Sequence, residues 1–207
     1  MPLHIVDHPL AHDALATLRN AATGPTEFRR AAHRISVLLA TEALRGVPVT
    51  ATTVQTPLGP APGRVLTSDV VVVPVLRAGL GMLESVLELV PSARVGYIGL
   101  QRDETTALAS RYYCRLPPGL ETSVVLVVDP MLATGGSAAA TIDQLKSAGA
   151  RTITMVSIVA APEGVALLQA RHPDVDIYTP VVDDRLNAQK YIVPGLGDFG
   201  DRLYGTE

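Results

Sequence analysis

From Ser68 onward one unit recurs: a short apolar run, a loop, then a stretch with helical spacing. The runs are VVVVPVL, RVGYIGL, VVLVVD, TITMVSIVAA and VDIYTPVV, separated by AGLGMLESVLELV, a polar loop, a Gly-containing loop with its helix, and PEGVALLQARH. Continuous valine without a polar residue at alternate positions belongs to strands covered on both faces, and such strands pair in parallel through crossover helices. Right-handed crossovers put helices on both sides of the sheet. The expected fold class is therefore α/β, with a mainly parallel five-stranded sheet flanked by helices. Ligands in such sheets bind beyond the carboxyl ends of the strands.

The region before the repeat reads differently. AHDALATLRN has helical spacing, and Pro9 just upstream is expected to exclude helix there. A longer helix is expected from Thr26 as N-cap to a stop at Gly46, with Phe28, Ala32, Ile35, Leu38, Leu39 and Ala43 on one face. VPVTATTVQTPLGPAPGRVL then alternates and breaks on Gly59, Pro60, Pro62 and Gly63. That pattern predicts a two-stranded β-arm, suited to packing on a partner subunit. A chain of 207 residues suits one domain, divided here as residues 1–67 (N-terminal helices and arm), 68–182 (core) and 183–207 (C-terminal segment).

Charge and cysteine usage narrow the function classes. A net charge of −3 without a Lys/Arg run gives no field for nucleic acid. The single cysteine, Cys114, forms no intrachain disulfide, and no signal-peptide pattern opens the chain, so a cytoplasmic protein is expected. No segment has the apolar length to span a bilayer. His4, His8 and His12 recur every four residues but carry Pro9 among them, and are read as ordinary polar residues.

The stretch VVLVVDPMLATGGS is the most informative loop. A strand ending at Asp129 and a helix starting near Gly136 leave Ala133, Thr134, Gly135, Gly136 and Ser137 at a strand-to-helix corner. Free N–H groups and the positive helix end there make an anion site, and the Thr134 and Ser137 hydroxyls add donors without charge. A Gly pair with a capping hydroxyl would equally serve a plain tight turn. No G-x-x-x-x-G-K-[ST] occurs, which argues against triphosphate hydrolysis. Arg77 and Arg102 each follow an apolar run, where two guanidiniums could clamp a diphosphate, or could pair with Asp103 or Glu104. Asp129 at a buried strand end must be capped or face a ligand. GLGDFG (195–200) satisfies G-x-G-x-x-G, but only seven residues follow it and Pro194 precedes it, so a dinucleotide site is excluded. A backbone-lined loop over a small ligand, or terminal coil, remains; Asp198 is then a site acid or an exposed one.

Together VPVLRAGLGML (73–83), GLQRDETT (99–106), YYCRLP (112–117), VVDPMLATGGS (127–137) and YIVPGLGDFGD (191–201) resemble the uracil phosphoribosyltransferase family, in the family's order and over nearly the whole chain. The resemblance implies a type I phosphoribosyltransferase-like fold with a protruding β-arm and a hood loop over the base. It implies transfer of the 5-phosphoribosyl group from phosphoribosyl diphosphate to uracil, giving uridine monophosphate and diphosphate. Asp129, Pro130, Met131, Leu132, Ala133, Thr134, Gly135, Gly136 and Ser137 would bind phosphoribosyl diphosphate, with Arg77, Arg102 and Asp198. Ile192, Gly197, Asp198 and Phe199 would read the uracil edge. Arg77, Arg102, Asp129 and Asp198 are the expected catalytic residues. Mg²⁺ is expected on the diphosphate and water rather than on a protein metal site. The loop from Asp103 to Thr122, with Tyr112 and Tyr113, is expected to close over the site. The resemblance further implies a homodimer or homotetramer and, as in some members of the family, a GTP effector. A pyrimidine-sensing RNA-binding regulator on the same fold would need a basic surface that the charge does not offer.

Overall fold

A computed structural model of the chain describes residues 2–102 and 109–206, excluding the side chains of residues 100–112. In chain order the strands and helices are β1 (Leu3–Ile5), α1 (Pro9–Arg19), α2 (Pro25–Ala43), β2 (Val49–Thr56), β3 (Gly59–Leu66), β4 (Val70–Pro74), α3 (Leu80–Leu89), β5 (Arg94–Val95), β6 (Tyr97–Arg102) and β7 (Ala109–Arg115). They continue with β8 (Val124–Val128), β9 (Met131–Leu132), α4 (Gly136–Ser147), β10 (Thr152–Val156), β11 (Val159–Ala160), α5 (Pro162–Arg171), β12 (Asp176–Thr179), β13 (Arg185–Leu186), β14 (Ile192–Val193) and α6 (Phe199–Tyr204).

The main sheet has the order β1-β12-β10-β8-β4-β5, and every pairing in it is parallel. Its inner strands β8 and β4 are buried at every residue. Alternate residues face opposite layers. Val72, Leu126 and Val128 pack with Phe28, Ile35 and Leu39 of α2 and Met82 of α3. Val73, Val125 and Val127 pack with Ala138, Ile142 and Leu145 of α4 and Leu168 of α5. Each such valine, fully removed from water, contributes about 1.5–3 kcal/mol. The parallel sheet between helical layers is thus the expected α/β architecture.

Several details differ from the sequence reading. The five apolar runs all contain strands, but Leu3–Ile5 adds a sixth at the edge beside β12, too short to show a period. Helix α1 begins at Pro9 instead of being excluded there: His8 is its N-cap, its Nδ1 accepting from the Leu10 N–H at 3.1 Å, and proline fits the first turn. Helix α2 likewise starts at Pro25 behind an N-cap at Gly24, two residues ahead of the expected N-cap Thr26. Its stripe of Phe28, Ala31, Ala32, Ile35 and Leu39 is buried.

The arm forms as expected: β2 and β3 pair antiparallel from Val49–Leu66 to Thr56–Gly59, with both faces largely exposed. RVGYIGL divides at Gly96. Its second half, β6, leaves the sheet to pair antiparallel with β7, so residues 109–115 are strand and not loop. Residues 103–108 of the expected closing loop, and the Tyr112 side chain, lie outside the described residues; Tyr113 is exposed. No described helix is long and apolar enough to cross a membrane.

Candidate functional site

The site lies at the carboxyl ends of β4 and β8. The Val75 N–H donates to the Val128 carbonyl at 3.0 Å, and the Gly79 N–H to the Val75 carbonyl at 2.9 Å. A Cβ on Gly79 would stand 2.4 Å from the Val128 carbonyl oxygen. Only glycine therefore lets the turn carrying Arg77 lie against the strand that ends before Asp129. Arg77 is exposed there. Arg102 closes β6, and its side chain lies outside the described residues.

Asp129 continues the line of β8. Its N–H donates to the Val156 carbonyl at 3.1 Å, and its carbonyl accepts from the Ser157 hydroxyl at 2.7 Å. The half-buried carboxyl accepts from the Met131 N–H at 3.3 Å. Burial pushes its pKa up to about 7, against the lowering effect of the Met131 hydrogen bond. At neutral pH it is poised between the acid and a carboxylate ready to accept hydrogen bonds.

The loop then wraps a cavity of about 110 Å³ lined by Asp129 and residues 131–138. Pro130 stays outside this wall: it is buried, and its carbonyl accepts from the Ile158 and Val159 N–H groups at 3.1 and 3.0 Å. Leu132 turns its side chain into the core while its neighbours face the cavity. Gly135 has φ 78 and caps α4, and a Cβ there would meet the Gly164 carbonyl at 2.9 Å. The turn therefore requires glycine for its own geometry. The first α4 hydrogen bond reaches back from the Ala139 N–H to the Gly135 carbonyl at 2.8 Å. The N–H groups of Gly136, Ser137 and Ala138 precede it at the cavity wall, with the Gly136 N–H 3.4 Å from the Thr134 hydroxyl. This is the helix-end geometry that binds an anion.

A second cavity of about 210 Å³ shares the walls Met131 and Ala133 with the first. Its other walls include Ile192, Gly197, Asp198 and Phe199, so the C-terminal glycine run lies beside the anion cradle. Ala78, Lys190, Tyr191 and Gly200 also line it, and none of them was assigned to the site from sequence. Tyr191 and Gly200 stood inside the quoted YIVPGLGDFGD and Ala78 inside VPVLRAGLGML, while Lys190 adjoins Tyr191. Asp198 is exposed and caps α6, its Oδ1 accepting from the Asp201 N–H at 3.0 Å. The tail is thus neither coil nor cofactor helix but a loop closed by one six-residue helix.

Arginines fasten this segment to the body. Arg19 pairs with Asp183 at 2.6 and 3.1 Å and donates to the Gly195 carbonyl at 3.2 Å, while the Gly195 N–H donates to Asp183 at 2.8 Å. Arg202 donates to the carbonyls of Leu18, Leu196 (2.7 Å) and Asn20 (2.7 Å), and its guanidinium lies 4.5 Å from the Phe28 ring centre. Phe28 meets Phe199 edge to face at 5.3 Å. Neither arginine was singled out from sequence, because all their partners except Leu196 lie more than 150 residues away.

The sequence profile described as uracil phosphoribosyltransferase matches residues 5–206. The chain belongs to the uracil phosphoribosyltransferase family. Relatives named uracil phosphoribosyltransferase include one from Dictyoglomus thermophilum, 51% identical over 98% of this chain and 99% of its own length. Another, from Enterococcus faecalis, is 48% identical over 98% of each chain. A solved protein of Aquifex aeolicus superposes with a TM-score of 0.93 at 36% identity, covering 100% of this chain and 99% of its own. The adenine phosphoribosyl transferase of Trypanosoma brucei, at 14% identity with a TM-score of 0.58 over 93% and 85% of the two chains, shares the fold alone. The uracil phosphoribosyltransferase motifs quoted above all fall inside the matched span, and three of them contribute to the walls of the two adjoining cavities.

Proposed function

We propose that the protein transfers the 5-phosphoribosyl group of phosphoribosyl diphosphate to uracil, forming uridine monophosphate and diphosphate. One observation carries the reading: the anion cradle of residues 131–138 and the cavity beneath the C-terminal glycine run share Met131 and Ala133, so a sugar phosphate and a small planar base would meet end to end. Family membership supports it.

In this reading Thr134, Gly135, Gly136 and Ser137 hold the 5′-phosphate with backbone N–H groups and hydroxyls. Met131, Leu132 and Ala133 form the wall between phosphate and base, and Pro130 anchors the loop to β11. Asp129, in its ionised form, accepts hydrogen bonds from the ribose hydroxyls. Uracil offers carbonyl, N–H and carbonyl along one edge, which suits the backbone of Ile192, Gly197, Asp198 and Phe199. Uracil N1 attacks the anomeric carbon as the bond to diphosphate breaks, with positive charge developing on the sugar. Arg77 and Arg102 stabilise the charge on the departing diphosphate, and Asp198 borders the sugar.

Among the described residues no group of three or more His, Cys, Asp or Glu could hold a metal ion. The reading has Mg²⁺ arrive on the diphosphate of the substrate, where it would offset phosphate charge. A cytoplasmic location and a homodimer or homotetramer complete the proposal. Val54, Val65 and the fully exposed Leu58 on the arm favour a second subunit over solvent.

Radiolabelled uracil, phosphoribosyl diphosphate and Mg²⁺ should give labelled uridine monophosphate, while cytosine, hypoxanthine and orotate in parallel should give no nucleotide. No product from folded protein would overturn the reading. Repeating the uracil assay with GTP tests the effector, and light scattering tests the oligomer.

A further inference from the structure

Lys190 is the one non-glycine residue with positive φ among the described residues, at 69°. The left-handed region is strained for a lysine and free for glycine. The conformation is held by the turn: the Lys190 N–H donates to the Asn187 carbonyl at 3.0 Å, the Asn187 N–H to the Tyr191 carbonyl at 2.9 Å, and the Tyr191 N–H to the Asn187 side chain at 2.9 Å. Strain of this kind, where the surroundings fix it, points to a use for the side chain. Lys190 lines the cavity under the glycine run and does not line the anion cradle. Among the described residues it is the sole cationic side chain in that cavity's wall, and its only acidic companion there, Asp198, has one carboxylate oxygen engaged by the Asp201 N–H. Glu163 also feels its charge, but that carboxylate accepts from the Leu186 N–H at 3.0 Å, and no ion pair within 4.0 Å holds Lys190 among the described residues.

We infer that Lys190 is a substrate-binding residue that stabilises the pyrimidine in its N1-deprotonated form. This rests on the transfer reaction proposed above. To attack the anomeric carbon, uracil N1 must lose its proton to solvent. The resulting negative charge spreads to the two ring oxygens, while the C1′–O bond breaks and its electron pair leaves with diphosphate. A cation at the base cavity favours the anion over the neutral ring. The 5′-phosphate, held in the other cavity, does not need it.

The test compares wild type with Lys190→Gly, which also relieves the backbone, Lys190→Met, and Lys190→Arg, which restores charge. Steady-state rates are measured for uracil and for 5-substituted uracils of graded N1 acidity. Loss of a charged hydrogen bond at an exposed site should lower kcat/KM for uracil roughly tenfold in the Gly and Met variants. The more acidic analogues should lose less, and Lys190→Arg should recover most of the rate. The melting temperature of Lys190→Gly should rise while its activity falls. Unchanged kcat/KM in the Gly and Met variants would overturn the inference, as would an equal loss for every analogue. Wild type that turns over no uracil would instead sink the transfer reaction and this role with it.

Discussion

Replacing Asp129 by Asn tests the electrostatics of the site without enlarging it. The Asp129 carboxyl has its pKa raised from 3.8 to about 7, chiefly by burial. In the unfolded chain it ionises near its ordinary value. Between pH 4 and 7 the folded protein therefore keeps a proton that the unfolded chain has released, and raising the pH through this window favours unfolding. Above about 7 both forms are ionised and the penalty levels off. A shift of about three units corresponds to roughly 4 kcal/mol as an upper limit, and half-burial with solvent at the cavity mouth brings it to about 2 kcal/mol. Asparagine keeps an oxygen for the Met131 N–H and carries no charge to desolvate. Between pH 4.5 and 8 the melting temperature of Asp129→Asn should rise relative to wild type by roughly 4–8 °C, on the scale expected for a chain of this size. Scanning calorimetry across that range decides it, and curves that stay parallel within about 1 °C would refute the burial argument. The same substitution should weaken phosphoribosyl diphosphate binding. In wild type that binding should tighten as pH rises from 6 to 8, because the ribose hydroxyls prefer the carboxylate; in the variant, titration calorimetry should show this pH dependence reduced.

Other substitutions separate chemistry from scaffold. Arg77→Ala, at an exposed position, should change stability by under about 0.5 kcal/mol yet lower kcat about 10²-fold or more, read by denaturant titration beside steady-state rates. Gly79→Ala brings a Cβ to 2.4 Å from the Val128 carbonyl; it should cost about 3 kcal/mol or more, with urea midpoints showing the loss. Removing Arg19 leaves the buried Asp183 unpaired, so Arg19→Ala should cost about 3–5 kcal/mol, while the double variant Arg19→Met/Asp183→Leu should recover much of that. In that double variant Gly195 loses both side-chain partners, so KM for uracil should rise even where folding returns. Phe28→Ala, which empties the contact with Phe199, should cost about 3–5 kcal/mol by chemical denaturation.

The legible parts of this molecule were those whose cause is local. A run such as VVLVV admits few places other than a doubly covered strand, and TGGS after Asp129 places free N–H groups at a helix start whatever lies elsewhere. The arm was legible for the same reason, since alternation and a Pro/Gly turn are both short-range signals. The missed features depend on partners far away in sequence. Leu3–Ile5 becomes a strand because β12 offers it an edge, and Pro9 begins a helix because His8 can cap it. Arg19 and Arg202 are unremarkable on α1 and α6 until the fold brings Gly195 and Leu18 to them. Spacing likewise pointed to the anion cradle at Thr134 to Ser137, and the family resemblance to Ile192, Gly197, Asp198 and Phe199, but neither could join the two cavities. That junction comes from Met131 and Ala133, which are loop residues on one side and cavity wall on the other. In the proposed reaction the placing of the base would therefore depend on the C-terminal segment staying docked. Loosening the Arg19 and Arg202 contacts should impair uracil binding while leaving phosphoribosyl diphosphate binding intact, because residues 131–138 are held by β11, α5 and the core rather than by the hood.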